Sequence, residues 1–195
     1  MLFYPDGISL SLVSTILAGR PISRRSFDDT SLAPKVFECA NKERRRVALV
    51  GSAEGVSHAA ASLLSHTYPE IDFFFSSSGF LDSKKREEAI SICTKADIVI
   101  CSMGTPLQEH FLISLKDRGW NGSGYTCGGY LDQLVSSGGS SYYPAAFDYL
   151  QVRWLYRLIR EPRRLLPRYL IDYPLGIINF IFDGGHKLFS ERIDS

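Results

Sequence analysis

The sequence lacks the features that would assign it to a specialised class of protein. It has almost no net charge, because 22 lysines and arginines balance 21 acids and leave a formal charge of +1. Without an overall basic field, nucleic acid is not an expected partner. It also lacks a run of roughly 18 apolar residues, the length that a membrane-spanning helix needs. The best candidate, LGIINFIF at 175–182, is too short.

Patterns for disulfides, metals and secretion are missing as well. The four cysteines are widely spaced and contain no CxxC pair, which predicts reduced, buried thiols in a cytoplasmic protein. The four histidines have no metal-ligand spacing with each other or with the cysteines, so we expect no structural metal. The N-terminal MLFYPDGISLSL has no basic segment before its apolar residues, and Pro5-Asp6-Gly7 interrupts them, so no secretion signal is predicted.

What the sequence does contain is an alternation of apolar β-type runs and helical patterns. The runs are VALVG, IDFFFSSSGF, DIVICSMG and GYTCGGYLD, and the helical segments between them are EGVSHAAASLLSHTYPE, KKREEAISICTKA and HFLISLKDRG. This alternation predicts an α/β fold, a Rossmann-like parallel sheet with helices on both faces. We place this catalytic domain at residues 1–140.

Each predicted strand ends in a turn that contains glycine. The turns are Gly51-Ser52, Ser78-Gly79, Gly104-Thr105 and Gly128-Gly129. In a parallel sheet these turns share the carboxyl edge, where α/β proteins bind ligands. Each glycine alone is explained as a tight strand-to-helix turn, but four on one edge favour a ligand site.

The motif GTPLQE follows the third strand. Gly104 lets a ligand approach the backbone, and Pro106 is suited to the first position of a helix because it has no N–H to satisfy. Gln108 and Glu109 then fall in the first helical turn, where free N–H groups favour an anionic or hydroxyl-rich ligand. Glu109 is equally explained as an acid that stabilises a helix N-terminus.

Asp6, in YPDGISL, is the other candidate for chemistry. A carboxylate in a cleft can act as a general base, although Asp-Gly is also a common turn dipeptide. Asp28 and Asp29 are expected to cap a helix.

The composition changes after residue 140, so we assign residues 141–195 to a C-terminal helical appendage rich in arginine and aromatic residues. Residues 150–170 hold six arginines and one acid, Glu161. Arg153, Arg157 and Arg160 would line one stripe of a helix. Such a segment suits an anionic membrane surface, and it equally suits a helix that docks on the sheet and exposes its arginines to water.

These motifs together resemble the WecG/TagA/CpsF family of bacterial glycosyltransferases. The segments that carry the resemblance are, in chain order, DG near the start, VALVGSAEGV, YPEID, SSGF, ADIVICSMGTPLQEHF, CGGYLDQLVSSG, YYP and RWLYRLIREPRRLLPRYLIDYP. GTPLQE and the WLYRLIREPRR block are the most specific of them.

The resemblance implies an inverting transferase that needs neither metal nor cofactor. Its donor would be a UDP-sugar and its acceptor a saccharide linked to a polyprenyl diphosphate. The product would enter a surface polysaccharide such as exopolysaccharide, capsule or wall polymer. The protein would be cytoplasmic and peripheral at the inner face of the cell membrane, and self-association is a further expectation.

The resemblance also implies roles for residues. Asp6 matches the family's general base, and Gln108 matches a glutamine that contacts substrate or donor. The implied donor-binding set is Gly51, Gly79, Gly104, Thr105, Pro106, Glu109, Gly128, Gly129 and Asp132. The arginines implied to meet diphosphate or membrane are Arg153, Arg157, Arg160, Arg163, Arg164 and Arg168.

The sequence departs from the family pattern in places. Members usually carry some tens of residues, including a Thr-x-Asn segment, before the Asp-Gly turn, whereas five residues precede Asp6 here. Arg153 replaces the usual Glu, and Tyr142-Tyr143-Pro144 replaces the usual Arg-Ala-Pro. The alternative hypothesis is therefore a truncated, non-catalytic subunit that binds a nucleotide sugar or lipid. An NAD enzyme is disfavoured, because no GxGxxG follows a strand.

Overall fold

A computed structural model describes residues 15–16, 19–21, 25–139, 155, 158–159 and 162–182 of the chain. The chain divides into two compact units, Phe27–Tyr142 and a second made of Met1–Ser26 with Tyr143–Ser195. The predicted domain boundary at residue 140 stays a prediction.

The first unit alternates strands and helices as the hydrophobic pattern predicts. Its elements are α1 (Leu32–Lys42), β1 (Arg46–Gly51), α2 (Val56–Thr67), β2 (Asp72–Ser77), α3 (Ser83–Cys93), β3 (Ile98–Ser102), α4 (Leu107–Asp117), β4 (Ser123–Thr126) and α5 (Tyr130–Ser136). The fourth strand is shorter than the predicted run, because CGGYLD forms the following turn and the start of α5.

The four strands form one parallel sheet in the order β2-β1-β3-β4. The chain moves from β1 to β2 on one side and then crosses back to β3 on the other side of β1. The strand order therefore reverses between β1 and β3, which is the position where doubly wound sheets bind ligands. The predicted Rossmann-like α/β fold is confirmed.

Both faces of the sheet are covered by helices, and β1 shows why. Val47 and Leu49 pack into a core with side chains of α1, α2 and α5, whereas Ala48 and Val50 pack into a second core with side chains of α3 and α4. All four side chains are fully buried. A strand buried on both sides reads as a continuous apolar run instead of an alternating one.

The entry to α1 differs from its prediction. Ser31, not Asp28 or Asp29, occupies the N-cap position, and its side chain makes no capping hydrogen bond. Asp28 Oδ1 instead accepts hydrogen bonds from the N–H and the hydroxyl of Thr30. The carboxylate therefore closes a local turn before the helix, a competing use of aspartate that residue type alone does not distinguish.

In the second unit, the segment of residues 162–182 is helical and rich in exposed apolar side chains. It contains α6 (Pro162–Pro167), a π-helical turn (Arg168–Asp172) and α7 (Tyr173–Phe182). The exposed apolar side chains of this segment are those of Leu166, Leu170, Ile171, Tyr173, Leu175, Ile178 and Phe182. Among the described residues, no helix has both the length and the apolar character needed to cross a membrane.

Candidate functional site

The carboxyl edge of the sheet collects the predicted donor-binding residues. Because the four strands are parallel, the turns that follow them all lie at this edge. The predicted residues in these turns and in the first turns of the following helices are Gly51, Gly79, Gly104, Thr105, Pro106, Gln108, Glu109, Gly128, Gly129 and Asp132.

The turns after β1 and β2 are filled by their own neighbours. A Cβ atom on Gly51 would lie 2.3 Å from the carbonyl carbon of Ser102, and one on Gly79 would lie 3.1 Å from the Cα of Gly51. Glycine is needed at residue 51 because the backbone of Ser102 lies against it, and residue 79 fits tightly between the Met103 side chain and the backbone of residues 51–52. We call residues 51–52 and 78–79 the closed turns.

The turns after β3 and β4 are different. Gly104 and Gly128 have positive φ angles of 74° and 56°, and a Cβ atom on either would meet no atom within 4 Å. Glycine here supplies the left-handed backbone conformation, and the space beside it is free. We call residues 104–106 and 127–129 the open turns.

Gln108 ties the two open turns together. Its side-chain Oε1 accepts a hydrogen bond from the Gly128 N–H at 3.2 Å. Its Nε2 donates to Glu109 Oε1 at 3.0 Å and to Thr105 Oγ1 at 3.4 Å. The side-chain amide has two hydrogens, and both are used within the protein. Gln108 is 6% exposed, so in this structure it clamps the turns.

Glu109 has one carboxylate oxygen occupied and one unoccupied. Oε1 accepts from Gln108 and from the Thr105 hydroxyl, the latter at 3.2 Å. Oε2 is buried and has no hydrogen-bond partner among the described residues. A buried oxygen without a partner is costly, and a hydroxyl or N–H from a ligand would satisfy it.

Two buried serines connect the closed turns to the open ones. The Ser52 hydroxyl donates to Asp132 Oδ2 at 2.8 Å and lies 3.0 Å from the Ser102 hydroxyl. The Ser102 hydroxyl donates to the carbonyl oxygen of Gly128. A continuous polar network thus runs across the edge of the sheet.

Sequence reasoning placed Ser52 in the first glycine turn but gave neither serine a role in the site. The available signal is a small polar residue directly after an apolar run, as in VALVGS and IVICS. Ser52 also has a φ of 59°. A non-glycine residue in this region costs roughly 1–2 kcal/mol of conformational energy, and such outliers concentrate at functional sites.

The cysteines near this network are held in their protonated, weakly nucleophilic form. Burial raises the pKa of the Cys127 thiol to about 12 and raises the pKa of the Cys101 thiol well above its usual range. Both are therefore neutral thiols near pH 7. All four cysteines are free. Within the described ranges, no group of three or more His, Cys, Asp or Glu side chains could hold a metal ion.

The described part of the structure does not test the remaining predicted residues. Asp6, Arg153, Arg157 and Arg160 lie outside the described residues. Arg163 is exposed on α6. Arg164 belongs to α6, and Arg168 begins the π-helical turn. Their roles stay predictions.

A doubly wound parallel sheet with accessible turns at its carboxyl edge defines a Rossmann-like α/β protein, a class that binds ligands at this edge. Comparison with known sequences gives the family. The chain belongs to the glycosyl transferase WecG/TagA/CpsF family, whose profile matches residues 1–187. The family predicted from the motifs is confirmed, and the members named below are glycosyltransferases.

Two similar proteins illustrate the range of the family. The chain is 32% identical over 189 residues to the UDP-Gal:alpha-D-GlcNAc-diphosphoundecaprenol beta-1,4-galactosyltransferase of Shigella boydii, with 96% of this chain and 78% of that protein covered. It is 28% identical over 160 residues to the N-acetylglucosaminyldiphosphoundecaprenol N-acetyl-beta-D-mannosaminyltransferase of Bacillus subtilis, with 82% of this chain and 61% of that protein covered. The match to the second protein therefore spans less than two thirds of its length.

Proposed function

We propose that the protein transfers a sugar from a UDP-sugar to a saccharide linked to a polyprenyl diphosphate, in the synthesis of a surface polysaccharide. The observation that carries this proposal is the match over 96% of the chain to a UDP-Gal transferase that acts on a lipid-diphosphate acceptor. The two relatives named above use different sugars, so the identity of the donor sugar stays open to measurement.

The donor is proposed to bind at the open turns. Three features support this position. Gly104 and Gly128 leave free space beside their backbones. The first turn of α4 presents N–H groups with the positive end of a helix dipole, which suits the diphosphate of a nucleotide sugar. Glu109 Oε2 and the exposed carboxylate of Asp132 are acceptors for hydroxyls of the nucleotide sugar, those of the ribose included.

The proposed reaction is a single displacement. The acceptor hydroxyl oxygen forms a bond to the anomeric carbon, and the bond from that carbon to the UDP oxygen breaks. UDP leaves with the electron pair, the hydroxyl proton passes to the carboxylate of Asp6, and the anomeric configuration inverts. Arginines of the C-terminal segment, such as Arg163, are proposed to balance the diphosphate charge without a metal, because a guanidinium is permanently charged and binds phosphate with two hydrogen bonds.

The C-terminal appendage is proposed to hold the enzyme at an anionic membrane surface on the cytoplasmic side. Leu170 and Phe182 are 70% and 84% exposed, and residues 150–170 contain six arginines. Exposed apolar side chains beside basic ones suit an interfacial helix. The same surface suits self-association, and sedimentation with vesicles of anionic or neutral lipid, compared with sedimentation alone, distinguishes the two.

The test of the function is a transfer assay with the full chain. Radiolabelled UDP-galactose, UDP-N-acetylglucosamine and UDP-N-acetylmannosamine are each offered with a short-chain polyprenyl-diphosphate N-acetylglucosamine acceptor, with and without EDTA. We expect label to enter the lipid fraction from one donor, EDTA to have no effect, and Asp6→Asn to abolish transfer while UDP binding persists. A fully active Asp6→Asn variant would exclude Asp6 as the base. Binding of UDP without transfer from any donor would support the non-catalytic subunit instead.

A further inference from the structure

Ser52 occupies a position where its backbone favours glycine. Among the described residues, Arg44 is the one other non-glycine residue with a positive φ. The backbone around Ser52 is fixed, because its N–H donates to the carbonyl of Ser102 at 2.7 Å and its carbonyl accepts from the N–H of Gly79 at 2.9 Å. A glycine would hold the same backbone with less strain. The backbone conformation therefore does not account for a serine at this position, and the side chain must do so.

The hydroxyl of Ser52 has one proton, and the network decides where it goes. The Ser102 hydroxyl directs its own proton to the Gly128 carbonyl. The Ser52 proton is then the one available to Asp132 Oδ2, at 2.8 Å. A hydrogen bond to an ionised carboxylate is stronger than one between neutral groups. Ser52 is 9% exposed, so water competes little for this bond.

Asp132 is the exposed end of this network. It lies in the first turn of α5, directly after the open turn at Gly128 and Gly129. One oxygen is bound to Ser52, and Oδ1 has no hydrogen-bond partner among the described residues. A free aspartate on a surface samples several rotamers. A bond from a fixed, buried hydroxyl selects one of them.

We propose that Ser52 is a positioning residue: its hydroxyl fixes the carboxylate of Asp132 so that Oδ1 stays available to a hydroxyl of the nucleotide-sugar donor. This role deepens the proposed transferase function and rests on it for the identity of the ligand. It also explains why a serine stands at a left-handed backbone position next to a glycine, Gly51.

The test uses Ser52→Gly, which removes the hydroxyl and relaxes the backbone. We expect the Kd for UDP, measured by calorimetry, or the KM for the UDP-sugar to rise about tenfold. The unfolding midpoint in urea should stay the same or rise. In the Asp132→Ala background, Ser52→Gly should cause no further loss, because the serine acts through the aspartate. An unchanged Kd and KM in Ser52→Gly, or full additivity with Asp132→Ala, would overturn the role.

A matched control is Ser57→Ala. The Ser57 hydroxyl donates to the Gly51 carbonyl at 2.7 Å and is also buried, but it has no bond to Asp132. It should lower the unfolding midpoint and leave UDP affinity unchanged. If Ser57→Ala weakens UDP binding as much as Ser52→Gly does, the effect comes from general disturbance of the turn, and the positioning role is wrong.

A ligand-free readout separates this role from the proposed function. The χ1-dependent NMR couplings of Asp132 should report one rotamer in the native chain and averaged rotamers in Ser52→Gly. If the native chain neither binds UDP nor transfers sugar, the proposed function fails, and the couplings still decide whether Ser52 fixes Asp132. Equal couplings in both proteins contradict the positioning role.

Discussion

The closed and open turns carry the same signal in the sequence, a glycine at the end of an apolar strand, but the glycines have different structural roles. Neighbouring atoms lie against Gly51 and Gly79, most closely at Gly51, whereas Gly104 and Gly128 have free space on the side where a Cβ would project. The closed turns therefore stabilise the edge of the sheet, and the open turns leave room for a ligand. Whether a turn is closed or open depends on which backbone segment passes beside it, and the fold determines this.

The largest expected effect is on a closed turn. Gly51→Ala would place a methyl group 2.3 Å from a backbone atom of Ser102, and backbone cannot move aside as a flexible side chain can. We expect a loss of about 3 kcal/mol or more in the free energy of unfolding, measured by urea denaturation. Gly55→Ala is the control, because its Cβ would meet no atom within 4 Å. Equal losses in both variants would mean that the turn is not closed.

The second-largest expected effect is at Gln108, whose side chain links the two open turns. Gln108→Leu keeps the approximate volume of the side chain but leaves the Gly128 N–H without its acceptor. We expect a loss of about 2 kcal/mol in the free energy of unfolding and a weaker affinity for UDP, because the two turns are no longer held together. Ser114→Ala, an exposed change on the same helix, should have almost no effect. A Gln108→Leu variant with native stability and lost transfer would show that Gln108 acts on the substrate and not as a clamp.

Much of the fold was predictable from the sequence, and the roles of its turns were not. The run VALVG and the helical spacing that follows it predicted β1 and α2 because periodicity is local information. The distinction between Gly51 and Gly104 was not local, since it depends on whether residue 102 lies against the turn. The Asp28 cap was wrong because aspartate serves turns and caps equally well. The role of Ser52 was missed because its partner, Asp132, is 80 residues away.

The next prediction has a smaller effect on stability. It compares two glycine substitutions to distinguish the loss of space for a ligand from backbone strain. Gly104→Ala and Gly119→Ala share nearly the same φ, 74° and 79°, and neither Cβ would meet an atom within 4 Å. Both should lower the free energy of unfolding by about 1 kcal/mol, the cost of a left-handed alanine. Gly119 follows α4, at the other end of the helix from the open turn, so Gly104→Ala alone should weaken UDP binding, by tenfold or more. The same loss of affinity in both variants would remove the open turn from the donor site.

The smallest expected effect is a loss of stability at alkaline pH. Burial raises the pKa values of the Cys93 and Cys127 thiols to about 12, above the value of about 9 expected after unfolding. The folded state therefore keeps these protons while the unfolded state loses them. Stability from these thiols is complete below pH 9 and falls as the pH rises from 9 toward 12.

At pH 9.5 each thiol should cost about 0.8 kcal/mol of the free energy of unfolding relative to pH 8. Cys93→Ala and Cys127→Ala should each reduce this pH dependence, measured by urea denaturation at the two pH values. If Cys127→Ala leaves the pH dependence unchanged while Cys93→Ala reduces it, the Cys127 thiol is open to solvent, and the free space of the open turn extends further than residues 104 and 128.

The most direct test of the account is an NMR titration of the chain, labelled with 15N at its 16 glycines, with UDP. We predict that the amide signals of Gly104, Gly128 and Gly129 shift with increasing UDP, while those of Gly51 and Gly79 shift little. Shifts confined to the closed turns, or no glycine shift at millimolar UDP, would contradict the placement of the donor site at the open turns.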